Sequence, residues 1–356
     1  MTSELVGLGE SDANARWIGV RRHQAVLVVL GVGILSEWLL SPSAPTSELI
    51  VGLALTICAA TTYDGLTAGE QLVVALRYCS RSHWSTVSAL EFGDEIALWA
   101  NGDVAFRAYE LVHRGRLDLS GRDVINAEAL KSLADAAGAS RTGQHFSEHV
   151  HRQDDDAGTL LALPLGVAAP DGWMKGTNLA RRVIGLDDDA TSLRLLERFT
   201  YLRAPTQLLR VYRVRDFASV PSTRGLLDQV LKSSTPVDLA LHVDVVSGSR
   251  AQRLSARAVH RVGSDDATSR AVGFRRTARS VRNYERLAQR EALVASGRAL
   301  VRVAVYLLVR ASSLDELHRR GDALWRQAHD AGLRLERGRG CQAQWHRAQL
   351  PGGLGW

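Results

Sequence analysis

The chain has 356 residues, of which 46% are apolar and 23% are charged. This composition excludes a disordered, collagen-like or wholly membrane-embedded chain, and the length suits about two globular domains. The three cysteines, Cys58, Cys79 and Cys341, are too few and too scattered for a disulfide framework or a zinc knuckle. This cysteine usage indicates a reducing compartment.

The positive charge is concentrated towards the C-terminus. The formal net charge is +6, and the stretch from Arg270 to Arg347 holds 17 arginines against seven acidic residues, so it carries +10 and the remainder −4. Such a basic face suits nucleic acid, anionic lipid or an acidic protein partner. Helices with solvated arginine faces are the alternative interpretation.

Two apolar runs near the N-terminus predict a transmembrane helical hairpin. The runs, Ala25 to Leu40 and Leu49 to Thr62, are joined by a short connection with two prolines. Arginines flank the hairpin and none lies in the connection, so the positive-inside rule places both ends in the cytoplasm and the protein at the cell membrane. Each run is shorter than the roughly 20 residues that cross a bilayer upright. A cleaved signal peptide and a buried hairpin in a soluble domain are the alternatives.

Ten apolar or aromatic residues of the two runs are the predicted membrane anchor. They are Val26, Leu27, Leu30, Ile34, Leu35, Trp38, Leu49, Ile50, Leu53 and Leu55.

The sequence after the hairpin has ordinary globular patterning. Residues 68–78 are spaced as a short helix, and residues 95–119 alternate around the turn Asn101-Gly102-Asp103, which predicts a β-hairpin. Residues 126–137 predict a helix, and residues 146–152 and 159–165 predict further strands.

The second half of the chain predicts strands interleaved with helices. Strands are expected at residues 208–217, 237–246, 300–310 and 333–338, and helices at 224–231, 249–260 and 268–297. Ser313 and Glu316 form a capping box that begins a helix running to about Ala331. We expect this helix to pack on the sheet through Leu317, Leu324 and Trp325.

The predicted fold class is therefore α+β, with an N-terminal transmembrane helical hairpin followed by a mixed α/β cytoplasmic body. Residues 1–24 are a cytoplasmic segment and residues 25–62 the membrane hairpin. Residues 63–205 are a first α+β part, and residues 206–356 are a second α+β part with the arginine-rich helices.

No stretch of the sequence indicates catalysis. His145, His149 and His151 are the one histidine cluster, and the simpler interpretation is a surface strand with exposed imidazoles, so no metal is assigned. The glycine-rich segments do not fit a P-loop, and no nucleophile elbow is present. We therefore expect no catalytic residue, no cofactor and no ATP hydrolysis by this chain.

The order of predicted elements in the second half of the chain resembles that of a known protein family. It comprises LLRVYRVRDF at Leu208 to Phe217, the helix after Pro221, the strand at Val237 to Val246, the arginine-rich helices, ALVRVAVYLLVRAS at Ala299 to Ser312, the capped helix at Ser313, and Gln342 to Trp345 with Leu350-Pro351. This order resembles the non-motor N-terminal part of the assembly ATPase of type IV secretion and conjugation systems, the TraC/TrbE type. The hairpin with Tyr63 to Thr67 and Leu76 to Tyr78 resembles the small PrgI-like membrane protein of Gram-positive conjugative systems.

The resemblance implies a membrane-anchored, non-catalytic scaffold in an actinobacterial DNA-transfer or secretion channel. In that family a motor domain with Walker motifs follows a Leu-Pro ending, whereas this sequence stops at Trp356, so an ATPase motor is expected in trans. The expected partners are the membrane, other secretion-system subunits, the motor and a second copy of the chain. The predicted docking residues are Arg275, Arg276, Arg279, Arg282, Arg286 and Arg290.

Two other functions stay open from the sequence. The first is a membrane-tethered nucleic-acid-binding protein that uses the basic C-terminal helices, with binding that weakens steeply as salt rises. The second is a membrane-bound enzyme, which requires a pocket with convergent polar groups.

Overall fold

A computed structural model describes most of the chain beyond residue 66. The described residues are 7–8, 16–17, 20–21, 29–36, 50–53, 56, 62–63, 66–92, 95–99, 103–111, 144–153, 156–165, 167, 173–186, 190–217, 230, 235–271, 273 and 277–353. The predicted helices at residues 126–137 and 224–231 lie outside them, apart from residue 230.

Strands make up most of the described elements. The short strands are β1 (Gly7–Leu8), β2 (Arg16–Trp17), β3 (Val20–Arg21), β4 (Thr62–Tyr63) and β5 (Leu66–Thr67). The others are β6 (Trp84–Phe92), β7 (Glu95–Trp99), β8 (Asp103–Leu111), β9 (Gln144–Gln153), β10 (Asp156–Pro164), β11 (Trp173–Lys175), β12 (Ser192–Glu197), β13 (Leu202–Arg203), β14 (Leu208–Phe217), β15 (Asp238–Val246), β16 (Leu300–Ala311) and β17 (Leu333–Arg337). The helices are α1 (Ala68–Cys79), α2 (Thr177–Ile184), α3 (Gly248–Ala271), α4 (Ala278–Ala295), α5 (Leu314–Asp330) and α6 (Gln342–Gln349).

Ten of these strands close into a ring. The order around it is β16-β15-β9-β10-β8-β7-β6-β12-β13-β14, and β14 pairs again with β16. Every neighbouring pair in the ring is antiparallel. Strands from before and after residue 205 thus belong to a single closed sheet.

Side-chain alternation divides this sheet into an inner and an outer face. The inner face carries one large apolar cluster, to which β6, β7, β8, β10, β12, β14 and β16 all contribute. Helices α2 and α6 add buried residues to the same cluster, among them Leu179 and Trp345. A Cβ on Gly158 would lie 2.8 Å from Leu179 Cδ2, so a glycine on β10 permits this close approach.

Polar side chains hold α6 against the sheet. The Gln342 side chain accepts a hydrogen bond from the Val211 amide at 2.8 Å and donates one to the Val211 carbonyl at 3.2 Å. Glu197 Oε1 accepts a hydrogen bond from the Ala343 amide at 3.0 Å, and its other oxygen lies 2.7 Å from Arg81 Nη2. Gln342 thereby occupies the backbone groups of β14 between its pairings with β13 and β17.

Helix α5 covers the outer face, as the sequence predicts. Its capping box forms, because Ser313 Oγ accepts from the Glu316 amide at 3.3 Å and Glu316 accepts from the Ser312 amide at 2.9 Å. Strands β16 and β17 both pair antiparallel with β14, on its two sides, so they run parallel to each other and α5 connects them across β14. Strand β16, helix α5 and strand β17 therefore form a β-α-β unit with one strand, β14, between its two strands.

The predicted fold class is wrong. The described part of the chain is built around a closed antiparallel sheet, and the strands that complete it, such as β6 and β12, are absent from the predicted set. Among the described residues, no helix is both long enough and apolar enough to span a bilayer. The prediction of a transmembrane hairpin is therefore wrong. The PrgI-like character of that hairpin and the cell-membrane location, both inferred from it, are wrong with it. The physical reason is length, since neither apolar run reaches the roughly 20 residues that a span requires.

Replacing Trp325 with alanine is expected to lower the free energy of unfolding by about 2 kcal/mol. Leu317 and Leu324 of α5 are fully buried, whereas Trp325 is only half-buried against the same cluster, so the loss should be smaller than the roughly 3–5 kcal/mol of a fully buried tryptophan. Urea unfolding followed by circular dichroism measures it. An unchanged midpoint and slope would show that Trp325 adds nothing to this packing.

Candidate functional site

Helices α3 and α4 form an antiparallel pair that we name the arm. The base of the arm packs on the sheet through Ala251 and Val294, which are buried with Val246 and Leu300. At about 1.5 Å per residue, the 24 residues of α3 extend about 36 Å. The two helices pack on each other, and neither packs along its length on another described element. The arm is therefore a projection anchored at one end.

The arm is held together by a narrow seam. Ser255 is fully buried and Leu287 nearly so, while the ring of Tyr284 comes close to Gly263. Thr277 caps α4 by accepting a hydrogen bond from the Ser280 amide at 3.2 Å. Gly297, with φ +91°, ends α4 in the left-handed conformation that glycine favours. These features define the direction in which the arm leaves the sheet.

The arm carries an excess of arginine. Its two helices hold nine arginines against four acidic residues. Four of the arginines, at positions 250, 253, 257 and 261 of α3, are exposed. Because their spacings are three, four and four residues, they form a stripe along one face of the helix. This stripe suits an acidic surface.

The structure places the side chains of three of the six predicted docking residues on the arm. Arg282 and Arg286 of α4 are exposed, and Arg290 is half-buried. Arg275, Arg276 and the side chain of Arg279 lie outside the described residues. The α3 stripe is missing from the predicted set, although the arginine spacing in residues 250–261 was sufficient to find it.

Five of the ten predicted anchor residues lie in two helical pieces that the structure describes, residues 29–36 and 50–53. Leu30, Ile50 and Leu53 are more than half exposed, and Ile34 and Leu35 are half-buried. The two pieces touch where glycine permits, since a Cβ on residue 52 would lie 2.9 Å from Leu35 Cγ. The other five, Val26, Leu27, Trp38, Leu49 and Leu55, lie outside the described residues.

His149 and His151 of β9 are buried and His145 is half-buried, which corrects the prediction of exposed imidazoles. His149 is 2% exposed and His151 is 1% exposed, because β15 and β10 cover the strand edges and the inner face of β9 lies inside the closed sheet. His242 of β15 is fully buried, with its Nδ1 3.4 Å from His145 Nε2. Within the described part of the chain, no three His, Cys, Asp or Glu side chains are grouped to hold a metal ion.

An ion pair lies beside these histidines, and together they form an interior polar network. Arg310 Nε donates to Asp238 Oδ2 at 2.6 Å, and both side chains are more than 90% buried. Asp238 Oδ1 accepts from the Arg152 amide at 3.0 Å and lies 2.9 Å from His151 Nδ1. Arg310 also donates to the Val183 carbonyl of α2 at 3.1 Å. The network therefore joins three neighbouring strands and one inner helix.

Burial determines the charge states in this network. Burial lowers the pKa of His149 and of His346 to about 3, and it lowers the pKa of His242 well below its ordinary value. Burial alone would raise the pKa of Asp238, but Arg310 and His151 outweigh it, so that pKa is about 2. A neutral His149 and a neutral His242 beside one ionised pair are suited to holding the strands in register.

Comparison with known proteins gives no relative. No protein-family model matches the chain, and no curated protein matches it. The resemblance to the type IV secretion ATPase family stays a prediction from the sequence.

Proposed function

We propose that this protein is a non-catalytic docking component of a type IV secretion or conjugation assembly, and that its arm binds the ATPase motor supplied in trans. One observation carries the proposal. The arm is a charged helical pair that is anchored at its base and covers no other described element along its length.

The arrangement of charge supports a protein-docking role for the arm. The exposed stripe on α3 makes no contribution to the apolar core, which the arm meets only at its base. Charged residues on such a surface mainly set the rate and specificity of encounter with a partner of opposite charge. The partner face is therefore expected to be acidic.

The contact between the base of the arm and the closed sheet also supports the proposal. Val246 and Leu300, which seat the arm, belong to β15 and β16, and both strands are paired on each side. The base of the arm is therefore seated where these two paired strands meet the helices. The sequence resemblance covers β14 through α6, the segment that contains the arm and its seat.

Reversing the charge of the arm is expected to weaken binding to the motor. The test variant carries Arg253→Glu, Arg257→Glu and Arg282→Glu, and the matched control carries Arg203→Glu, Arg326→Glu and Arg334→Glu, which are exposed positions off the arm. Both variants change the net charge equally. The measurement is co-purification of the full chain with the Walker-motif ATPase of its own secretion system.

The arm variant should lose at least about tenfold in recovery at low salt and less at high salt, because screening already weakens the wild-type attraction there. The control variant should bind as the wild type does. Equal recovery of the two variants at every salt concentration would refute docking through the arm. Arm-dependent binding of duplex DNA without motor binding would favour the nucleic-acid alternative.

A further inference from the structure

A cationic cleft lies on the outer face, away from the arm. It has a volume of about 270 Å³ and is bounded by β14, the first half of α5 and the turn between β17 and α6. Arg210, Arg337 and Arg339 line it, and Asp322 is the one carboxylate among its lining residues. Three guanidinium groups and one carboxylate are therefore found among the lining residues of the cleft.

Arg210 is buried without a carboxylate partner in the described structure. Its side chain begins on β14, and the residue is only 6% exposed. Its Nε donates to the Thr200 carbonyl at 3.2 Å, and no described acidic residue forms an ion pair with it. Because a buried charge is costly without a counter-charge, the cleft in front of Arg210 is suited to an anion.

The single carboxylate of the cleft compensates little of this charge. Asp322 Oδ1 lies 3.5 Å from Arg337 Nη2, and the Asp322 side chain is 63% exposed. The Arg337 guanidinium lies over the Trp325 ring, 4.7 Å from its centroid, which fixes the guanidinium plane. Asp322 is thus a solvated rim residue beside an oriented cation.

Glycine and an unpaired hydroxyl lie next to Arg210. A Cβ on Gly321 would lie 3.0 Å from Arg210 Nη1 and 2.4 Å from the Tyr212 hydroxyl oxygen, so a glycine at this place in α5 leaves room for both groups. The Tyr212 hydroxyl is fully buried and has no hydrogen-bond partner in the described structure. Because buried hydroxyl groups are usually hydrogen-bonded, the Tyr212 hydroxyl is available to a polar ligand group beside the cleft.

We propose that this cleft binds a phosphate group, either inorganic phosphate or a small phosphate monoester. Guanidinium groups bind phosphate oxygens through paired, charge-assisted hydrogen bonds, and three arginines line this cleft. The volume admits a phosphate with a small substituent and falls below the usual range for drug-sized ligands. The cleft does not involve the arm, so this inference is independent of the docking function.

Calorimetric titration of the full chain tests the proposal, with inorganic phosphate as the ligand in one series and glycerol 3-phosphate in a second series. Arg210→Lys, which keeps the charge and loses the planar fork, should weaken phosphate binding by about tenfold or more. Arg339→Gln should weaken it by about three- to tenfold. Arg334→Gln, an exposed position on β17 outside the cleft, should leave it unchanged.

Asp322→Asn keeps the proposal testable even if the Arg210 variant does not fold. Removing the one carboxylate of the cleft should strengthen phosphate binding by a few fold. Tighter binding of glycerol 3-phosphate than of phosphate would identify a monoester as the ligand, and the reverse order would identify the free ion. The proposal would be overturned if neither ligand gave a binding heat at roughly 10 mM, which is about tenfold above a millimolar dissociation constant. It would also be overturned if wild type, Arg339→Gln and Asp322→Asn bound phosphate with equal affinity.

Discussion

Replacing Asp238 with alanine is expected to lower the free energy of unfolding by about 3–5 kcal/mol. The substitution leaves Arg310 buried in the sheet without its carboxylate, which lies 2.6 Å away in the wild type. It also removes the acceptor of the Arg152 amide. Urea unfolding at pH 7, with the slope compared between variants, gives the value.

Two controls separate this effect from the general cost of a substitution. The double variant Asp238→Ala with Arg310→Met should lose less than the single variant, because it removes both buried charges. Glu95→Ala removes the partner of Arg107 from a pair in which both side chains are more than one-third exposed, and it should cost less than about 1 kcal/mol. A loss below about 1 kcal/mol for Asp238→Ala would show that the pair does not hold the sheet.

The protein is expected to lose stability steeply as pH falls from 7 to 4. Burial lowers the pKa of His149 and His346 to about 3, so the folded state keeps them neutral while the unfolded chain protonates them near 6.5. The unfolded state then binds more protons throughout this interval, and stability falls with falling pH. Each of the two histidines contributes a loss of about 2 kcal/mol at pH 5.

The carboxylate acts in the same direction at lower pH. The pKa of Asp238 is about 2, below the ordinary value for aspartate, so its stabilising contribution is complete above about pH 4 and is lost as pH falls towards 2. The loss between pH 7 and 5 therefore arises from the histidines. Acid unfolding should be well advanced before Asp238 is protonated.

A matched pair of histidine variants tests this assignment. His149→Gln should reduce the difference in unfolding free energy between pH 7 and pH 5 by about 2 kcal/mol, whereas His260→Gln, on the exposed face of the arm, should leave it unchanged. The same slope in wild type and His149→Gln would contradict the assignment to His149.

Local patterns predicted several elements well. The alternating residues of β14 and β16 and the capping box of α5 determine those elements through short-range chemistry alone, and the structure has all three at the expected places. The hairpin of β7 and β8 follows from the turn between them in the same way. These segments needed no information about distant partners.

Closure of the sheet could not be predicted from local patterns. The alternating histidines of β9 have the pattern of a solvated face, and they are buried because β15 and β16 supply Asp238 and Arg310 to the same inner face. Helix α6 has a polar sequence typical of a surface turn, yet Gln342 and His346 are buried. In both places, polar residues that find partners inside resemble, in sequence, residues that face water.

The candidate site was predicted in part. Arginine density located the arm, and Arg282 and Arg286 are exposed on it as expected. The stripe on α3 lies before Arg270, outside the segment with the largest arginine excess. The cleft around Arg210 was not foreseen, since it combines β14, α5 and the turn before α6, which are far apart in sequence.

Site-specific photo-crosslinking tests the docking account most directly. A photoreactive residue would replace Arg257 on the α3 stripe in one full-length protein and Arg334 on β17 in another, and each would be illuminated with the Walker-motif ATPase of the same system. The account predicts a crosslink to the motor from position 257, lost in high salt, and none from position 334. No crosslink from position 257, or equal crosslinks from both positions, would contradict it.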